Sequence, residues 1–251
     1  ITWPLIALLF SWWRTEQPQF RNACRLIPFL LFALPLSFIV NMTQASKITP
    51  DYQEVLNLSL LQKILLAGNN IVFYIGKLLW PLKHVPFYPR WQINPTHLAL
   101  YLAPTAIFIT LVVLWMLRKR IGRGPFAALM FYLIGLSTIL GFVPWSLMTI
   151  TYTQDHYQYL ACIGPFLLFS YAFDTCMLRF VPQPRWVICQ TLMFLLLLPL
   201  AFIAHKHACL YNDEETLFAE NYRIYPTMSD VTLNYGEGLL KNGKLQEALE
   251  M

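Results

Sequence analysis

Charge is scarce in this chain. Asp, Glu, Lys and Arg make up only 12% of its 251 residues, against roughly 25% in soluble globular domains. Hydrophobic residues reach 57% and aromatics 16%. A soluble core of this size cannot hide so much apolar surface, so lipid must cover part of it. The cysteines, Cys24, Cys162, Cys176, Cys189 and Cys209, form no C-x-x-C. That excludes a zinc ribbon or dithiol motif and leaves small buried hydrophobes. There is no Walker loop, no G-x-S-x-G and no H-E-x-x-H, so ATP-driven and hydrolase chemistry find no support. The net charge of +5 is not gathered into a Lys/Arg cluster interleaved with aromatics, and no nucleic-acid partner is expected.

The long apolar runs organise the rest. A spanning helix needs about 20 mostly apolar residues. Spans are predicted at about 1–13, 26–46, 97–117, 126–148, 157–178 and 186–204. The first is short, the chain opens on Ile rather than Met, and its end falls inside a repeat, so an internal piece of a longer protein is expected. Leu61–Leu82 is harder. Its charge-free core, Ile64–Gly76, contains Asn69 and Asn70 and is bracketed by Lys63 and Lys77. A Lys deep in the bilayer costs about 2.5–3.5 kcal/mol, so a re-entrant or interfacial helix is predicted over 61–82.

Sidedness gives an independent test. Arg14, Arg21 and Arg25, then Arg118, Lys119, Arg120 and Arg123, then Arg179 and Arg185 sit in short loops, and short basic loops face the cytoplasm. They share one side only if 61–82 does not cross. The segment 41–96, the loop 149–156 and everything after Ala204 then face the other, extracytoplasmic side.

From His205 the composition turns polar. Asn212 or Asp213 reads as a helix cap, with Glu214 and Glu215 on the positive end of the dipole. That helix should run to about Ile224, where Pro226 blocks continuation. Asp230 is a plausible next cap. The stretch 234–249 resembles a tetratricopeptide repeat: Gly236 and Ala248 take the small-residue positions, Tyr235 and Leu239 the large ones, and Gly243 ends the first helix. A linker helix over 205–229 and a truncated first repeat over 230–251 therefore follow a membrane domain over 1–204. The expected fold is all-α: a polytopic transmembrane bundle, then the start of a helical solenoid.

Two clusters could carry chemistry. The loop Thr149–Leu160 holds the only Asp-His pair, Asp155-His156, with Tyr157 and Tyr159 beside it. His156 could donate to a phosphate while Asp155 orients it. The competing reading is an aromatic belt with Asp155 capping a helix that starts near His156. In the second cluster, Lys77, Tyr88 and Arg90 could meet an anionic head group, or simply snorkel. His205 and His207 look like a metal pair without further ligands, and solvated residues at a span end are expected there. Asp174 should snorkel toward the cytoplasm. Asn41-Met42-Thr43 fits a glycosylation sequon close to the bilayer.

The order of these parts resembles the transmembrane and tetratricopeptide-repeat O-mannosyltransferase family and its bacterial relatives, in the GT-C superfamily. The resemblance runs through 5–13, Tyr74–Pro81, Phe87-Tyr88-Pro89, Asp155–Leu160 with Ile163-Gly164, and Glu215–Phe218 leading into the repeat. It implies a sugar, mannose by analogy, moved from a polyprenyl-phosphate carrier to an extracytoplasmic protein acceptor presented by the repeats. The family's D-R-Y-x-Y-L pattern maps onto Asp155, His156, Tyr157, Tyr159 and Leu160, with His156 where Arg is usual, and a His grips phosphate less firmly than a bidentate Arg. The superfamily's catalytic acid lies in a first loop that this sequence does not include. The catalytic base is therefore not assigned, and the fragment alone is expected to be inactive. No cofactor is evident, although the full-length enzyme leaves room for a divalent metal. The resemblance places the protein in a bacterial inner membrane, or alternatively in an endoplasmic reticulum membrane. A non-catalytic membrane scaffold recruiting partners through its repeats is the second reading.

Overall fold

A computed structural model describes residues 2–15, 57–143, 145–180 and 185–251, with isolated positions between 24 and 43. The predicted span 26–46 and the sequon lie largely outside the described residues. Among the described residues there is helix and no strand, which bears out the all-α expectation. The chain divides into two compact units, Ile1–Ile75 with Trp91–Phe169, and Gly76–Arg90 with Ser170–Met251. The unit that holds the tail also takes in the segment 76–90 from far upstream.

In the first unit α1 (Thr2–Thr15) packs on α4 (Gly124–Leu136). Between them in sequence come α2 (Leu60–Leu79) and α3 (Ala99–Leu117). α3 is apolar around its whole circumference and exposed along most of its length. Its 19 residues rise about 28 Å, close to the hydrocarbon thickness of about 30 Å. α2 is not a hairpin. It is one unbroken helix that buries Leu65, Leu66, Ala67, Asn70, Ile71 and Tyr74 along one face. That face meets Tyr132, Leu136, Leu140 and Ala161 to form the core.

The predicted span 126–148 is corrected. α4 stops at Leu136 after 13 residues, turns follow through 143, and Ser146–Thr149 is a single 3₁₀ turn. A charge-free run reports apolarity, not helix propensity. Gly141 here takes φ +95°, a conformation that ends a helix. The predicted span 157–178 likewise begins later. Asp155–Gln158 is a 3₁₀ turn, and α5 occupies Ile163–Phe180.

In the second unit α6 runs over Arg185–Leu210. It passes the expected end at 204 and carries His205-Lys206-His207 inside the helix. Trp186–Leu210 and Ala99–Leu117 are the two described helices long and apolar enough to cross a membrane. Asp213 caps α7 (Glu214–Ile224) by accepting from the Thr216 N–H at 2.7 Å, as its sequence indicates. α8 (Ser229–Lys241) starts without a side-chain cap. Met228 takes the cap position, and Asp230 lies inside the first turn, so Asp230 is not the cap. Gly243, at φ +77°, lets the chain turn into the short α9 (Leu245–Leu249). The α7–α8 packing is set by Gly238, where an added Cβ would lie 2.8 Å from the Glu215 backbone. Gly236, the expected close-approach position, would place a Cβ against nothing within 4 Å. It lines an open groove with Thr232, Leu240 and Ala248.

Three contacts tie the end of α8 and the start of α9 back to α7. Lys241 bonds Glu214, Lys244 reaches Glu215 at 2.6 Å, and Asn242 reaches Glu215 at 2.8 Å. Hydrogen bonds from Lys244 and then Asn242 hold the Glu215 carboxyl below its ordinary value of 4.5. A lowered carboxyl value contributes stability that is present above 4.5 and lost as pH falls through the folded-state value. Protection of the α7–α8 amides, read as exchange relative to the intrinsic rate at each pH, is therefore expected to fall on acidification below about 4.5, and Glu215→Gln is expected to flatten that dependence.

Candidate functional site

In the first unit the loop 149–158 lies over the buried face of α2. Tyr74 fixes it: its hydroxyl accepts from the Gln154 N–H at 3.1 Å and donates to the Gln154 carbonyl at 3.3 Å. Asn70 donates to the Tyr152 carbonyl at 3.4 Å, and Thr151 Oγ1 donates to the Thr153 carbonyl at 2.9 Å. Asn70, Thr151, Thr153, Gln154 and Gln158 are all buried. They form a polar layer in an otherwise apolar unit.

That layer is under-satisfied. Among the described residues, Asn70 Oδ1, Thr153 Oγ1, Gln158 Oε1, the Tyr132 hydroxyl and the indole N–H groups of Trp91 and Trp145 are buried with no hydrogen-bond partner in the protein. Leaving such a group unmet costs about 1–3 kcal/mol, and native proteins keep few of them. Aromatic rings frame the layer. Trp91 stands edge-on to Tyr152 at 5.9 Å, and Trp145 edge-on to Tyr157 at 5.2 Å.

The residues singled out from sequence sit at the outer margin of this layer. His156 is exposed and its ring lies tilted against Tyr157, centroids 4.2 Å apart at 47°. Tyr159 is exposed and Asp155 half-buried. Asp155 is the first residue of the 3₁₀ turn rather than its cap. Gln154 holds the cap position, with no side-chain cap bond. What sequence reading missed is the floor. By sequence Asn70 is only a polar residue in an apolar helix, and Gln158 only a position within the Asp155–Leu160 stretch with no role of its own. The available signal is the unbroken run of polar and tyrosine residues from Thr151 to Gln158, uncharged apart from Asp155 and His156.

In the second unit Lys77 and Tyr88 do come together. The Lys77 ammonium donates to the Lys83 carbonyl and lies 4.5 Å over the Tyr88 ring. The Tyr88 hydroxyl donates to the same carbonyl at 3.1 Å and accepts from the Val85 N–H at 3.3 Å. Lys77 thus braces its own loop, and Arg90 closes the segment half-exposed. The segment is fastened to α7 by Asn221, which is fully buried. Its Oδ1 accepts from the Phe87 N–H at 3.0 Å and its Nδ2 donates to the Phe87 carbonyl at 3.1 Å. Phe87 meets Phe218 at 5.8 Å and Tyr88 meets Tyr225 at 6.3 Å.

The suspected metal pair separates. His207 packs edge-on against His84 at 5.1 Å, while His205 faces Cys209 at 3.8 Å. Among the described residues no group of three or more His, Cys, Asp or Glu gathers. The His205 and His207 donors do not fit a divalent ion. Burial, then the neighbouring charges of Lys77 and His207, push the His84 imidazole down to about 4. The ordinary value is 6.5, so between the two the unfolded chain binds the extra proton and the docked loop does not. Docking is therefore full above 6.5 and weakens as pH falls toward 4. Protection of the 84–90 amides, read as exchange relative to the intrinsic rate at each pH, is expected to fall over that interval, and His84→Phe to remove the dependence.

Comparison with protein-family models, curated proteins and solved structures finds no match. Among the described residues the chain is all-helical, with two helices apolar and long enough to cross a bilayer, one of them leading into a helical hairpin tail.

Proposed function

We propose that this chain is the C-terminal part of a membrane glycosyltransferase that moves a sugar from a polyprenyl-phosphate carrier to a protein acceptor outside the cytoplasm. The reading places it as a multi-pass protein of a bacterial inner membrane, with loop 149–158 and the repeats on the periplasmic side. The observation that carries it is the under-satisfied polar layer beneath His156. Carboxamide oxygens there lack donors and indole N–H groups lack acceptors. A sugar hydroxyl both donates and accepts, whereas a phosphate accepts only. The layer therefore suits the sugar. His156, exposed at the margin beside Asp155, Tyr157 and Tyr159, suits the carrier phosphate. Because the layer is covered, loop 145–158 parts from α2 to admit the sugar. Lys77, Tyr88 and Arg90 are given the shaping of the 76–90 segment.

The test uses the full-length protein in membrane vesicles with a polyprenyl-phosphate sugar. Asn70→Leu and Gln158→Leu should each reduce transfer by roughly 10- to 100-fold, about 1.4–2.7 kcal/mol of lost recognition. Gln158→Leu should leave thermal stability unchanged or raised, because it replaces an unmet buried carboxamide oxygen with an apolar group, whereas Asn70→Leu also removes the donor to the Tyr152 carbonyl and should cost about 1–3 kcal/mol of stability. His156→Ala should reduce transfer as well. Wild-type turnover in all three would end the proposal. A non-catalytic scaffold is the second reading, favoured by the open groove of α8 and α9. It requires that no sugar transfer be detected from the full-length protein.

A further inference from the structure

Composition pointed to no clustering of basic and aromatic residues, but the fold of the first unit makes one. The indoles of Trp12, near the end of α1, and Trp115, near the end of α3, stack at 5.6 Å and 20°. Arg118 covers the outer face of this pair, its Cζ 3.9 Å from the Trp115 ring centre and its Nη1 donating to the Trp115 carbonyl at 2.5 Å. Arg123 lies toward Trp12, its Cζ 5.9 Å from the ring centre and its Nη1 donating to the Trp12 and Trp13 carbonyls at 3.4 and 3.3 Å. Phe126 closes the edge, 5.5 Å from Trp12 and 5.1 Å from Trp115. Each indole of the stack thus has a guanidinium near its ring, and Arg14, Lys119 and Arg120, next to these residues in the sequence, are exposed.

We propose that this collar is a binding site for an anionic phospholipid, with the head-group phosphate on the guanidinium and ammonium groups and an acyl chain along α1. Part of the arrangement has a local purpose. Arg118 and Arg123 cap helix C-termini, where cations are favourable. That accounts for one of the five N–H donors of Arg118, and it does not account for Lys119, Arg120 and Arg14. Arg118 and Arg123 meet at the stack, Arg14, Lys119 and Arg120 stand within two residues of its members in the sequence, and the neighbouring sequence offers one acid, Glu16. Charges gathered in this way repel unless an anion joins them. The indole stack holds the guanidinium planes in place before a ligand arrives, which lowers the ordering cost of binding.

The occupant follows from position. α3 is apolar throughout and long enough to cross a bilayer, so its end lies at head-group depth, where Trp and Arg belong. Along α1, Ala7, Leu8, Phe10, Ser11, Arg14 and Thr15 line a groove of about 490 Å³ with Leu26. A lipid presents a phosphate joined to an apolar chain, which matches a cationic residue lining a largely apolar groove. Free phosphate or nucleic acid would leave the groove unused. The inference rests on α3 crossing a bilayer and not on the transferase reading.

The test uses the whole protein in nanodiscs of phosphatidylcholine, alone or mixed with phosphatidylglycerol, and native mass spectrometry counts retained lipid. Each basic residue at a membrane surface contributes about fivefold, so three of them give roughly a hundredfold preference for phosphatidylglycerol. Lys119→Gln with Arg120→Gln, both at exposed positions, should remove most of that preference without touching the stack. Arg118→Lys keeps the charge but loses the plane, and should weaken retention less than Arg118→Gln. Lys206→Gln, outside the collar, should change nothing. Equal retention of the two lipids, unchanged preference in the double variant, or displacement of phosphatidylglycerol by inorganic phosphate would each overturn the proposal. Sugar transfer by the full-length protein is read separately, so failure here leaves that reading standing.

Discussion

Gly238→Val is expected to unfold the α7–α8 hairpin, at a cost of about 3 kcal/mol or more. The added Cβ would sit 2.8 Å from both N and Cα of Glu215. Those are backbone atoms of a capped helix and cannot rotate away as a side chain would. The helices would have to separate, exposing Val231 and Leu239, which are now buried. The contacts of Lys244 and Asn242 with Glu215 would go with them. Gly236→Ala is the internal control. Its Cβ meets nothing, and alanine in place of glycine inside a helix gains roughly 0.5–1 kcal/mol. Limited trypsin digestion of the purified protein, followed by mass analysis, should give rapid cleavage after Arg223, Lys241 and Lys244 in the first variant. The second variant should be cut no faster than wild type.

Asn221→Leu is expected to release the 83–90 segment from α7. The carboxamide pairs with both polar groups of the Phe87 backbone, as a neighbouring strand would. Leucine fills similar space but answers neither group. Two partly buried backbone groups then lose their partners, at about 1–3 kcal/mol each. Water reaching the loosened segment returns part of that, and a net loss of about 2–4 kcal/mol is expected. Hydrogen exchange of amides in 83–90 should accelerate by more than tenfold, while the core amides of α2 keep their protection. Unchanged exchange across 83–90 would show that the ring contacts of Phe87 and Tyr88 hold the segment alone.

What could be read from sequence was what local chemistry decides. The Asp213 cap, the end of α7 before Pro226 and the turn at Gly243 each depend on a few adjacent residues with strong conformational preferences. The apolar character of α3 and α6 was equally plain, because composition alone sets it. Helix extent was less legible. Counting charge carried one predicted span through to 148, although Gly141 lies within it. It also ended another at Ala204, although His205, Lys206 and His207 continue a helix without difficulty. Asp230 looked like a cap, but a cap depends on the backbone angles of one residue, and Met228 holds them.

The candidate site was legible at its surface and not in its depth. Asp155, His156 and Tyr157 drew notice because titratable and aromatic residues are rare in apolar runs. The floor beneath them pairs Asn70 with Tyr152, and Tyr74 with Gln154, across roughly eighty residues of chain. No local pattern encodes such a distance. The same holds for Asn221 with Phe87 and for the Trp12–Trp115 stack. In each case the residue types were visible and their meeting was not.

The central claim is that the polar layer under loop 149–158 receives a carrier-linked sugar. The most direct measurement is photo-crosslinking of the full-length protein in lipid nanodiscs. The probe is a polyprenyl-phosphate sugar bearing a photoreactive group on the sugar, and adducts are mapped by mass spectrometry. Adducts concentrated within 145–160 and on α2 near Asn70, and depleted in Gln158→Leu, are the expected result. Adducts spread evenly along the apolar helices, or unaffected by that substitution, would contradict it.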